Sequence, residues 1–253
     1  MIEKMNLDEE CEFFTAERLN EIVMLRLKEN LLFRATDLSV RDKVLDYLDG
    51  VSRTDSIKVV VIISSPEARG SEEYFDFYHR VLTSKFDDKD FHRLHNVFTQ
   101  IILRIVDLNK IVVHANSGKV ISLFLNFSLA CDYRIVADDT VFQNPYFKLG
   151  LVPIGGGAFF LSRRLGQSKA LEILLSDKDI TADEAKKLGF VDKVVAPEKL
   201  EKTALNTARR FAQKPARSLA GLKKLINYSI IDLKDYMAIE YQELIKAIGD
   251  GHY

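Results

Sequence analysis

Cysteine is scarce in this 253-residue chain, with Cys11 and Cys131 alone. They lie far apart and form no CxxC pair, which excludes a disulfide scaffold and a cysteine-rich zinc site. No charge of one sign dominates either: 36 Lys and Arg stand against 37 Asp and Glu, a formal net charge of −1. A dedicated nucleic-acid binder carries a basic excess or stripe, so no nucleic-acid partner is expected. No apolar run approaches the roughly 18 residues of a bilayer span, so no membrane partner is expected. The opening MIEKMNLDEECEFF puts acidic residues where a signal peptide has its apolar stretch, and the expected compartment is the cytoplasm. Repeats, low-complexity tracts and long linkers are also missing. Gly155-Gly156-Gly157 is followed by no P-loop Lys-Ser/Thr and shows no dinucleotide-binding spacing.

What is present is ordinary globular material, 47% hydrophobic and 29% charged. A chain of this length fits one large domain or one domain with an appendage, and buries enough surface to need no staple. Glu21–Leu27 has alternating apolar character, and Cys11–Leu19 pairs with it as an expected hairpin. Leu38–Leu48 has helical spacing, with Gly50 as the expected stop. Lys58–Ser64 holds five consecutive β-branched residues, Val59 to Ile63, the pattern of a strand buried on both faces of a parallel sheet. Asp90–Leu108 predicts one long helix, Ile111–His114 a second buried strand, Ile121–Ala130 a helix and Tyr133–Ala137 a third strand. After Gly150 the chain turns mostly helical, with a short strand at Val191–Val195 and a last helical stretch over Ser218–Ile248. The alternation makes the fold class α/β.

Four blocks then stand in sequence order: KIVVHANSGKV with LACDYRIVADDTVFQNP; FKLGLVPIGGGAFFLSRRLG; ALEILLSDKDITADEAKKLGFVDKVV; and the helix entry over Lys214–Asn227. Together they resemble the crotonase (enoyl-CoA hydratase/isomerase) superfamily, and the matching runs from about Val23 to Asn227. The resemblance implies a spiral of ββα turns over residues 1–195. It also implies a C-terminal helical region over 196–253 that builds homotrimers or homohexamers. Acyl-CoA thioesters are the implied ligands, with coenzyme A entering as part of the substrate and no other cofactor or metal. The implied chemistry rests on two backbone N–H groups that hold the thioester oxygen as negative charge develops. One donor falls on Leu123, at the start of a helix whose dipole supports the same anion; the other falls near Tyr74, in ARGSEEYF.

The sequence departs from the family pattern where the chemistry is concentrated. The two catalytic glutamate positions fall on Asn126 and Tyr146. An amide exchanges no protons, and a phenol of pKa about 10 is a poor base at neutral pH. The acid of dienoyl-type isomerases falls on Ile154. Ser122, Leu123 and Phe124 replace a glycine cluster, which narrows or fills the substrate pocket. Lys28 and Arg34 are candidates for the nucleotide's phosphates, against a generic charged loop. Glu72, Glu73 and Asp76 read as a solvated helix start or as the source of a substitute base. His114 reads as a core histidine satisfied by backbone, and His79 as an exposed one. His92 and His95, at i,i+3, read as surface residues rather than metal ligands, and His252 as tail. Cys131, Asp132 and Arg163-Arg164 read as structural. Three functions stay open. One is enolate- or oxyanion-stabilising chemistry on an acyl-CoA (isomerase, decarboxylase or hydrolase type). The others are an inactive CoA-ligand sensor or assembly subunit, and a hydratase with a relocated carboxylate.

Overall fold

The computed structural model describes residues 6–29, 31–35, 37–64, 71–83 and 88–249. His252 and residues 68–70 of the ARGSEEYF segment lie outside them. The chain opens on β1 (Glu9–Glu10), β2 (Phe14–Leu19) and β3 (Ile22–Leu27). β2 and β3 form the expected antiparallel hairpin, with Leu19 opposite Ile22. Asn20, at φ 58°, takes the left-handed conformation a two-residue hairpin turn requires.

Helices α1 (Leu31–Arg34) and α2 (Leu38–Arg53) lead to β4 (Val59–Ile63). Gly50 does not end α2. Val51 beyond it is fully buried, and that burial outweighs the roughly 1 kcal/mol cost of a helical glycine. Thr54 closes the helix instead, its hydroxyl donating to the Gly50 carbonyl at 2.8 Å. Then come α3 (Ser71–Thr83), α4 (Asp88–Asp107), β5 (Ile111–Asn116), β6 (Lys119–Ile121), α5 (Ser122–Ala130), β7 (Tyr133–Ala137) and β8 (Val141–Gln143). Helices α6 (Gly157–Leu165) and α7 (Gln167–Leu175) precede β9 (Ile180–Thr181), α8 (Ala182–Leu188) and β10 (Lys193–Val195). The C-terminal helices are α9 (Leu200–Ala212), α10 (Ala216–Asn227) and α11 (Leu233–Gly249).

The main sheet runs β1-β2-β3-β4-β5-β7-β10, parallel from β3 onward, and β6-β8-β9 form a small second sheet. From β5 to β8 successive strands alternate between the two sheets, and strand pairs hand over to helices, in keeping with the expected ββα spiral. The β-branched run of β4 is buried throughout. Val59, Val61 and Ile63 pack with Ala204 and Ala208 of α9, while Val60 and Ile62 join the larger core on the other face.

The stretch Ser218–Ile248 is not one helix. It breaks at a 3-10 turn over Tyr228–Ile230. Arg163 of α6 grips this turn, donating to the Ser229 carbonyl at 3.0 Å and, with Nη2, to both carboxylate oxygens of Asp232 at 2.7 Å. Tertiary contacts therefore override a continuous helical pattern. The LACD block is also tied down from the C-terminal region. Lys223 of α10, 3% exposed, donates Nζ to the carbonyls of Ile105 and Lys110 and to Asp132 Oδ2, at 2.9–3.1 Å.

Candidate functional site

Strands β4 and β5 are parallel, with Ile62 beside His114 and Ile63 beside Ala115. Their C-terminal ends therefore finish together, next to the N-terminus of α5. In parallel αβ sheets this edge is where ligands bind. A cleft lies there, lined by Ser64, Glu73, Asn116, Ser117, Val120 and Phe124, with Lys28, Glu29, Leu31 and Lys119. It holds about 30 Å³ of free volume, roughly one or two water molecules.

Helix α5 is apolar almost all round. Leu123, Leu125, Phe127 and Leu129 are all buried, as expected for a helix inside a core. Leu123 is its second residue, where the N–H has no carbonyl partner inside the helix. Phe124 is half-buried and turns to the cleft, its ring 5.8 Å from that of Phe98. Ser122 opens the helix, but its side chain lies outside the described residues.

Behind the cleft the residues are buried. Asn126 donates Nδ2 to the Ile154 carbonyl at 2.6 Å, and Tyr146 donates its hydroxyl to the same carbonyl at 3.2 Å. The Asn126 Nδ2 and Tyr146 hydroxyl lie 3.4 Å apart. The rings of Tyr74 and Tyr146 meet edge-on at 5.7 Å, and Tyr78 lies 4.4 Å from Tyr74. Burial holds the phenol pKa values of Tyr74 and Tyr146 well above 10, with neighbouring tyrosines adding to both shifts. Both are neutral at physiological pH and neither supplies a phenolate base. A Cβ on Gly157 would sit 2.6 Å from Asn126 Nδ2, and one on Gly155 would sit 2.9 Å from Leu123 Cδ1. The glycine turn is thus the wall against which the α5 side chains close.

That turn holds a carboxylate the sequence did not single out. Gly155 and Gly156, at φ +76° and +78°, aim consecutive N–H groups at Glu240 of α11, at 2.7 and 2.9 Å. A fully paired carboxylate at the start of α6 is stabilised by the helix dipole. His95 is buried beside it, with Nε2 3.6 Å from Glu240 Oε1, so it is not a surface residue. His92 is half-buried, its Nδ1 on the Tyr241 hydroxyl. No group of three metal-ligating side chains occurs among the described residues.

His114 is fully buried, as read from the sequence, but side chains rather than backbone satisfy its ring. Nε2 lies 3.0 Å from Ser64 Oγ, and Nδ1 accepts from Asn116 Nδ2 at 3.3 Å. Desolvation, reinforced by Arg134, lowers its pKa to about 3. His79 is exposed, as are Glu72 and Asp76; Glu73 is instead buried at the cleft, its Oε1 accepting from the Leu32 N–H at 3.3 Å. Lys28 reaches the cleft while bonded to Glu10 at 2.9 Å, and Arg34 donates Nε to the Glu29 carbonyl. The structure therefore brings Asn126, Tyr146, Leu123, Tyr74 and Ile154 into one packed cluster, with Phe124 and Lys28 at the cleft beside it. Ser64 and Asn116 could have been found by alternation, since positions 62, 64, 114 and 116 share one sheet face. Glu240 gives no local signal at all.

Strand–strand–helix turns closing on a helix N-terminus at the sheet's C-terminal edge define the crotonase class of α/β proteins. The enoyl-CoA hydratase/isomerase family model matches residues 17–247, and the chain belongs to that family. It is 24% identical over 231 residues to trans-2-decenoyl-[acyl-carrier-protein] isomerase of Streptococcus mutans, covering 91% of this chain and 87% of that protein. It is 28% identical over 199 residues to the short-chain-enoyl-CoA hydratase of Clostridium acetobutylicum, covering 78% and 75%. The crystal structure of an enoyl-CoA hydratase from Bacillus halodurans superposes with a TM-score of 0.79 at 21% identity, covering 93% and 95% of the two chains.

Proposed function

We propose that this protein binds an acyl-CoA thioester at the cleft beside α5. It stabilises an oxyanion or enolate there, in isomerase-, decarboxylase- or hydrolase-type chemistry, and does not hydrate by a pair of glutamates. Leu123, and a second N–H near Tyr74, are the backbone donors of this reading, and Lys28 is the cation nearest the entrance. One observation carries it. Asn126 and Tyr146, at the positions the family resemblance gives to its glutamates, are both committed to the Ile154 carbonyl; an amide exchanges no proton and a phenol kept neutral by burial is no base for activating water. The names of the relatives, an acyl-carrier-protein isomerase and an enoyl-CoA hydratase, support an acyl thioester as substrate.

The test is a panel of acyl-CoA thioesters assayed for hydration, double-bond migration and thiol release. The expected result is crotonyl-CoA hydration far below the roughly 10 s⁻¹ typical of enzymes, with a measurable rate in one of the other assays. Hydration at an ordinary rate would overturn the reading. If Glu73→Gln then abolished it, the buried Glu73 at the cleft would be the relocated base. A second reading, a non-catalytic CoA-ligand sensor or assembly subunit, is favoured by the small volume of the cleft. It predicts acyl-CoA binding with no turnover in any assay.

A further inference from the structure

The side chains of Ser64, His114 and Asn116 form a chain of hydrogen bonds ending at the cleft, and the proposed function gives none of the three a role. Parallel pairing of β4 and β5 sets them side by side. Ile62 stands beside His114 in register, and two residues further on Ser64 donates its backbone N–H to Ala115 at 3.0 Å. Alternation points positions 62, 64, 114 and 116 to the face where α5 packs, and the His114 ring rests edge-on against Phe127 of α5 at 5.2 Å.

The bonds have a direction. Asn116 Nδ2 can only donate, so His114 Nδ1 accepts. A neutral ring then carries its proton on Nε2 and donates it to Ser64 Oγ, 3.0 Å away. With its oxygen occupied as an acceptor, the half-buried Ser64 has its own O–H to give, and Ser64 and Asn116 both line the cleft. The ring is fully buried beside Arg134 and has a pKa of about 3, so it stays neutral across the physiological range. Asn116 is 1% exposed, and its Oδ1 has no hydrogen-bond partner among the described residues. Unsatisfied buried acceptors are rare in native proteins, and each calls for an explanation.

We infer that Ser64 is a side-chain hydrogen-bond donor to the carbonyl oxygen of a bound acyl thioester, with His114 and Asn116 as the positioning residues that orient its hydroxyl. The inference rests on the acyl-thioester reading given above. No bond is made or broken: the hydroxyl contributes a third donor to the oxygen that backbone N–H groups would hold. A preorganised donor of this kind is most effective in a site that excludes water. The carbonyl is the same whether the acyl group rides on coenzyme A or on the phosphopantetheine of a carrier protein.

The experiment compares wild type, Ser64→Ala and Ser64→Thr by calorimetric titration with butyryl-CoA, decanoyl-CoA, decanoyl-pantetheine and free CoA. Melting curves check that each variant is folded. The wild type is expected to prefer an acyl-CoA to free CoA, Ser64→Ala to lose about tenfold of that preference with free CoA unchanged, and Ser64→Thr to recover most of it. Retained affinity for decanoyl-pantetheine would mean that the arm alone suffices, as for a carrier-bound substrate; its loss would assign recognition to the nucleotide and hence to coenzyme A. An undiminished preference in Ser64→Ala overturns the inference and leaves the thioester reading standing. No acyl preference in the wild type overturns both. Nitrogen-15 spectra provide a check independent of ligand: His114 is expected as the neutral Nε2–H tautomer, and the Nδ1–H tautomer would overturn the relay.

Discussion

Lys223 carries an ammonium into the core, where three oxygens replace its water shell: two backbone carbonyls and Asp132. Removing one partner of a buried pair typically costs about 3–5 kcal/mol, because the other group is left uncompensated. Asp132 retains some solvent contact and also accepts the Val112 N–H at 2.7 Å, so the lower end applies. Lys223→Ala is expected to destabilise by about 3 kcal/mol, measured as a shift of the urea midpoint at unchanged slope. His114 sets a second residue-scale expectation. Its pKa is about 3 in the folded chain and 6.5 without the fold. The unfolded chain therefore takes up the proton first as pH falls. The stability present above about pH 6.5 should decline by up to about 1.4 kcal/mol per pH unit toward pH 3. Equilibrium unfolding at pH 7.5 and pH 5.5 measures this slope. A His114→Gln variant, which lacks the titrating group, should show a flatter one.

At the scale of elements, the join between α11 and the glycine turn depends on Glu240. Each carboxylate oxygen takes one N–H, from Gly155 and Gly156. In Glu240→Gln one of those N–H groups faces an amide nitrogen instead of an oxygen. A loss of about 2 kcal/mol is expected, and at about 2–4 °C per kcal/mol the melting temperature should fall by several degrees. Local pattern made much of the frame legible. The β-branched run marked β4, the hairpin and α4 followed from hydrophobic period, and α5 from the Ser-Gly turn before it. Long-range contacts hid the rest. The 3-10 turn after α10 exists because Arg163, 66 to 69 residues away, holds Ser229 and Asp232. The strands of the second sheet are two or three residues each, too short to show an alternation. The residues of the packed cluster were legible through family resemblance, whereas Glu240 and Lys223 act across the fold, from helices whose own patterns do not mark them.

At the scale of the whole molecule, α10 anchors to the core through Leu219 and Lys223, both buried, while Leu222, Leu225 and Ile226 stand 53%, 77% and 61% exposed. Spacings of three and four place these three on one face. Tyr228 and Ile231, 73% and 76% exposed, continue the apolar surface onto the following turn. Leu233 and Met237, which a single amphipathic helix would also present outward, are buried in the chain's own core, so the apolar surface centres on α10 and the turn after it. Covering a large apolar side chain contributes about 1.5–3 kcal/mol, so five of them can offset much of the about 4–15 kcal/mol lost on association. We propose that this surface joins copies of the chain into a homotrimer or homohexamer, the assembly implied by the family resemblance. Light scattering at tens of micromolar is expected to give three or six times the 28.9 kDa chain mass. Leu225→Glu combined with Ile231→Glu should yield folded monomers, because two buried carboxylates per interface cannot be paired there. A wild-type protein that is monomeric at that concentration would leave the surface without a self-association role. A double variant that stays assembled would place the interface elsewhere on the molecule.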